Sequence, residues 1–150
     1  FDDVLGRNRA VTEGFVREMS CKGAMSDVPG LLEFVEAVCA EAEIGPDTCF
    51  DLTLAVEEAA SNVIAHGYKG AGGPLSVRLE VSGQDVTIDL RDRARPFKPG
   101  KINAPDAKTP LEDRPVGGMG LLLMHRLMDE VRYETLPDGN LLTMVKRGVK

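Results

Sequence analysis

Two pairs of alternating segments constrain this chain more than any other feature. "PLSVRLEV" and "DVTIDLRD" alternate apolar and polar residues and are separated only by "SGQ". "EVRYETL" and "NLLTMVKRG" are separated only by "PDG". Period-two alternation across a short turn is the signature of a β-hairpin with one buried face. Strands joined this way run antiparallel, which favours an α+β fold over an alternating βαβ fold with a parallel sheet.

Between and before the hairpins the period changes. "SDVPG" opens a helix that Ser26 or Asp27 can cap, and Leu31, Val35, Val38 and Ala42 recur at helical spacing. Gly45 and Pro46 break it. A second helix runs from about Asp47 to Ala65 and stops at Gly67, with Leu52, Val56, Ala59 and Val63 as its apolar stripe. Residues 11 to 23 hold a short alternating stretch, a first strand. Residues 93 to 117 carry Pro96, Pro99, Pro105, Pro110 and Pro115, a density that no long helix or central strand survives. "GGMGLLLMHRLMDEV" follows and reads as a glycine-led third helix. The order β, α, α, β, β, long loop, α, β, β predicts an α+β fold. Its expected form is a two-layer sandwich, a mostly antiparallel mixed sheet with helices on one face.

A chain of 150 residues with 43% hydrophobic and 28% charged residues suits one globular domain, taken as 1–150. No apolar run approaches the roughly 20 residues of a membrane helix, and "FDDVLGRNRA" lacks the apolar centre of an export signal. Cys21, Cys39 and Cys49 have no metal-ligand spacing and read as reduced, buried thiols. The net charge of -6 argues against a nucleic-acid-binding face.

Three groups of residues can carry chemistry. On the second helix Glu58, Asn62 and His66 are four apart, so they line up along the border of the apolar stripe, whereas Glu57 points to solvent. A carboxylate and an amide at the edge of a core need partners, and a metal ion with a phosphate ligand supplies them. Asp92 ends the first hairpin. It reads either as a turn residue or as an acceptor for an exocyclic amine such as that of adenine. Gly117, Gly118 and Gly120 at a helix start either make a tight turn or expose backbone N–H groups to an anion. The glycines do not form a dinucleotide fingerprint: no strand runs into them, and Leu123 stands where a third glycine would. His66 and His125 read as packed or capping residues, and Met119, Met124 and Met128 as core filling.

Taken in order, these groups resemble the three nucleotide-binding boxes of the GHKL superfamily, the Bergerat ATP-binding fold. "EEAASN" resembles the N box, "DRARPF" the G1 box and "GGMG" the G2 box. The nearest subfamily by "LAVEEAASNVIAHGY" and "GNLLTMVK" is that of the RsbW-type anti-sigma-factor serine kinases. The resemblance implies Glu58 as general base and Asn62 as the ligand of a Mg²⁺ that bridges the phosphates. It implies Asp92 as reader of the adenine amine, and Ala94, in place of the usual glycine, beside it. Gly117, Gly118, Met119 and Gly120 would line the phosphates at the hinge of a lid over about 98–117, and Thr143 would support the adenine site through water. Arg93, Arg95 and Lys98 lie beside the G1 box. Residues 1 to 10 would be an N-terminal extension.

The function so implied is a cytoplasmic, ATP- and Mg²⁺-dependent serine-protein kinase of the anti-sigma type. It would transfer the γ-phosphate to a serine of a STAS-type antagonist, bind a sigma factor in another state, and form a homodimer. The alternative is a nucleotide-switched binding module without significant kinase activity.

Overall fold

The computed structural model describes residues 14–96 and 118–149. The extension at 1–10 and the lid at 98–117 therefore lie outside the described residues. Five strands and three helices follow in the expected order: β1 (Phe15–Cys21), α1 (Val28–Glu41), α2 (Pro46–Asn62), β2 (Leu75–Ser82), β3 (Asp85–Asp92), α3 (Gly118–Leu127), β4 (Glu130–Leu136) and β5 (Gly139–Lys146). The sheet order is β1-β2-β3-β5-β4. All four pairings are antiparallel, so the mostly antiparallel sheet is antiparallel throughout its described strands.

Register follows from burial. Leu75, Val77, Leu79 and Val81 on β2 and Val86, Ile88 and Leu90 on β3 all point to one face and are buried. Cross-strand partners share a face, so Leu90 opposite Leu142 and Ile88 opposite Met144 carry the same layer onto β5. A slip by one residue would turn this entire set toward water, which fixes the pairing. The opposite face carries Ser76, Arg78, Glu80, Thr87 and Asp89, and there Arg78 pairs with Asp89 at 3.4 Å.

The helices cover the apolar face. Leu31, Val35, Val38 and Ala42 of the predicted α1 stripe are all buried, as are Leu52, Val56 and Ala59 of α2, with Val63 partly buried against them. Each fully buried aliphatic side chain contributes about 1.5–3 kcal/mol before its ordering entropy. α2 packs between α1 and α3, and Leu121, Met124 and Met128 seal α3 onto the core. Lys146 secures the end of α3: its ammonium donates to the Leu127 carbonyl at 2.5 Å and lies 3.5 Å from Asp51 of α2. A cation at a helix C-terminus satisfies an orphan carbonyl and opposes the dipole.

Three local expectations need correction. Neither Ser26 nor Asp27 caps α1 through its side chain. A short 3₁₀ turn, Met25–Asp27, precedes the helix, and Asp27 reaches back to accept the Ala24 N–H at 3.0 Å. The α2 helix does not run regularly to Ala65; after Asn62 it widens into a π turn, Val63–Gly67. There Tyr68 N–H donates to the Val63 carbonyl at 2.8 Å. That extra residue turns His66 off the Glu58–Asn62 line, and His66 is exposed. Glu57 is half-buried, not fully solvated.

Candidate nucleotide site

Glu58 and Asn62 lie one turn apart on α2, beside the buried Ala55, Val56, Ala59 and Ala60. Both are half-buried. Glu58 has no hydrogen bond or ion pair among the described residues, and the buried Nδ2 of Asn62 has no partner there. A buried amide left unsatisfied costs about 1–3 kcal/mol. Beside a carboxylate unpaired among the described residues, it is an arrangement that a polar ligand would complete.

The second element is the turn that leaves β3. Asp92 is only 5% exposed. Its Oδ1 accepts the Ala94 N–H at 2.8 Å, an Asx turn, and the Asn140 Nδ2 at 2.9 Å. The Oδ2 atom has no partner among the described residues. Asn140 stands directly across from Asp92 on β5 and also donates to the Arg95 carbonyl at 3.0 Å. Gly139 just before it is indispensable to this approach, since a Cβ there would lie 1.9 Å from the Asp92 carbonyl oxygen.

Two contacts join this turn to the end of α2. The Tyr68 hydroxyl accepts the Arg93 N–H at 2.7 Å and donates to the Pro74 carbonyl at 2.5 Å. Burial pushes the Tyr68 pKa up, so the hydroxyl keeps the proton it donates. Ala94, buried and free of positive φ, packs its methyl over Gly67, where an added Cβ would stand 3.0 Å away. The alanine that replaces the usual G1-box glycine therefore fits because a glycine faces it.

Of the expected nucleotide residues, the structure brings Asp92 and Ala94 together in one turn and ties that turn to the helix carrying Glu58 and Asn62. Gly118, Met119 and Gly120 open α3. Gly117 and Lys98 lie outside the described residues. Arg93 and Arg95 are exposed. Thr143 is not brought to the Asp92 turn by the structure. It lies on the other face of the sheet, where its hydroxyl donates to Asp89 Oδ1 at 3.0 Å. Its register partner is Asp89, whereas Asp92 faces Asn140. Sequence reasoning missed Asn140 and Tyr68. Parity could have found Asn140, because it is an even number of residues from Leu142 and Met144 and Thr143 is not. His125 is half-buried, and its Nε2 has no partner among the described residues.

The three elements suit a nucleotide: a buried carboxylate able to accept from an amine, an amide and a carboxylate on one helix, and a glycine-led helix start. Among the described residues no group of three or more His, Cys, Asp or Glu could hold a metal ion.

Such an arrangement defines a nucleotide-binding α+β domain, and comparison with known proteins narrows it. Residues 22–146 match the model of the histidine kinase-like ATPase domain, and the chain belongs to that family. It is 32% identical over 114 residues to an anti-sigma F factor of Thermoanaerobacter sp. (strain X514), covering 75% of this chain and 79% of that one. It is 30% identical over 95 residues to the serine-protein kinase RsbW of Bacillus thuringiensis (strain Al Hakam), covering 57% and 56%. With the serine/threonine-protein kinase BtrW of Bordetella bronchiseptica it shares 29% identity over 97 residues, covering 63% and 68%. A solved structure of the RsbU and RsbW domains of a Mycobacterium tuberculosis protein shares the fold. Its TM-score is 0.64 at 16% identity, over 89% of this chain and 32% of that longer one. No described helix is long and apolar enough to cross a membrane.

Proposed function

We propose that this chain is a regulatory protein-serine kinase of the anti-sigma type, which binds ATP with Mg²⁺ and transfers the γ-phosphate to a serine of a partner protein. The observation that carries this reading is the half-buried Glu58 carboxylate, unpaired among the described residues, one turn before the Asn62 amide, whose Nδ2 likewise has no partner among them. Phosphoryl transfer asks little covalent chemistry of a protein. It needs the phosphates positioned, their charge neutralised and a base beside the attacking hydroxyl.

Bound Mg²⁺ would supply the charge neutralisation, with Asn62 as its protein ligand. Glu58 accepts the proton of the acceptor serine as its oxygen attacks. Asp92 accepts a hydrogen bond from the adenine amine and holds the purine. The N–H groups at the start of α3, those of Gly118, Met119 and Gly120, face the phosphates with the favourable end of the helix dipole. The acceptor is a separate protein of the STAS type, and a sigma factor is the second partner. The working form is a cytoplasmic homodimer. Names of the similar proteins, anti-sigma F factor and serine-protein kinase, support both the kinase and the sigma-binding roles.

The test is phosphotransfer. Purified protein, Mg²⁺-ATP and a STAS-type protein encoded beside it are mixed, and the product is weighed intact. One added phosphate on a serine, lost in Glu58→Gln while ATP binding persists, is the expected result. ATP binding without transfer would favour a nucleotide-switched binding module instead.

A further inference from the structure

Asn140 is one of only two buried polar residues outside the apolar core among the described residues, and the other is Asp92, which it touches. It comes from a different strand, 48 residues later in the chain. Its Nδ2 bonds Asp92 Oδ1 at 2.9 Å and the Arg95 carbonyl at 3.0 Å, with the Ala94 carbonyl at 3.4 Å. One side-chain amide thus holds the Asp92 carboxylate and the backbone of the turn that follows it.

Resting on the nucleotide-site reading above, we propose that Asn140 is a positioning residue that sets purine selectivity by fixing the plane of the Asp92 carboxylate. The Asx-turn bond from Ala94 alone leaves that carboxylate free to swing about its side-chain torsions. A second donor on the same oxygen removes the freedom, so Oδ2 has a single direction. An ionised carboxylate only accepts hydrogen bonds. Adenine presents a 6-amino donor to it, whereas guanine and hypoxanthine present an oxygen that it repels. A carboxylate that cannot turn away discriminates between them strongly; one that can rotate, or draw in water, does not. Asn140 acts through Asp92 and does not itself read the base.

ITP tests this, because it differs from ATP at C6 and the adjoining N1 proton only. Affinities for ATP and ITP are measured by calorimetry on the full chain and on Asn140→Leu, Asn140→Ser and Asp92→Asn, each first shown to melt cooperatively. The wild type should prefer ATP. In Asn140→Leu the ATP affinity falls about tenfold, the worth of one hydrogen bond to a charged group. ITP affinity changes little, so the ATP/ITP ratio falls toward that of Asp92→Asn. Asn140→Ser, smaller and open to water, moves the ratio the same way by less, and carries the test alone if the leucine variant does not fold. A merely structural Asn140 would lower both affinities together and leave the ratio unchanged, which overturns the proposal but not the site. An Asp92→Asn variant with undiminished preference for ATP would overturn both.

Discussion

Placing a methyl at Gly67 sets two well-known effects against each other. Replacing glycine by alanine within a helical turn stabilises a chain by about 0.4–1 kcal/mol, through the freedom removed from the unfolded state. Here the new Cβ would stand 3.0 Å from the Ala94 Cβ and 3.8 Å from Val63 Cγ1. Carbon atoms rest at about 3.5–4.0 Å, so the first contact is too close by at least half an ångström. The Ala94 methyl cannot rotate away, and its backbone is tied to Asp92 at 2.8 Å. Relief requires the α2 end and the Asp92 turn to separate. Overpacking of this kind costs about 1–3 kcal/mol, so the net outcome is destabilisation, by up to about 2.6 kcal/mol. Ala94→Gly removes the obstacle. The double variant Gly67→Ala/Ala94→Gly should therefore be less unstable than the sum of its single changes by about 1 kcal/mol. Urea unfolding with a constant m-value measures all four corners of this cycle. A more stable Gly67→Ala protein, or additivity within about 0.3 kcal/mol, would refute the contact.

Two further outcomes follow from the same region and from α1. Tyr68→Phe keeps the ring that lies against Gly73 but removes the hydroxyl that bridges Arg93 and Pro74. It should lower stability by about 1 kcal/mol in urea unfolding and weaken ATP binding, and an unchanged midpoint would count against the bridge. Burial, and then Cys49, push the Cys39 thiol up to about 12. Native Cys39 should resist thiol reagents at pH 8 until the chain unfolds. The native thiol keeps its proton while the unfolded one loses it, so stability falls as pH rises past the ordinary thiol value near 9. The slope in thermal melts should be shallower in Cys39→Ala.

The parts of this fold legible in the sequence are those where one periodicity ruled a whole segment. The stripe Leu31, Val35, Val38, Ala42 was unambiguous because four apolar residues agree on one face, and both hairpins were marked by alternation and short glycine-containing turns. Thr143 shows where that legibility stopped. The motif suggested its role, but side-chain direction in a strand depends on parity, and Asp92 meets β5 three residues earlier at Asn140. The π turn after Asn62 left no sequence signal either, since Val63, Ile64 and Ala65 continue a helix as readily as they widen one. Tyr68 was hidden for a different reason: its partners are a backbone N–H and a backbone carbonyl, which the side-chain sequence does not display.

The sheet order gives the site a history during synthesis. Asp92 leaves the ribosome 48 residues before Asn140, the residue that completes its surroundings. At about 5–20 residues per second, this is a delay of roughly 2–10 s. During that interval β3 has β2 beside it but not β5, and the Asp92 carboxylate still lacks its Asn140 donor. A nascent chain can thus build its first hairpin and its first two helices early and yet, on the proposed reading of the site, stay blind to nucleotide identity until the last strand slides between β3 and β4.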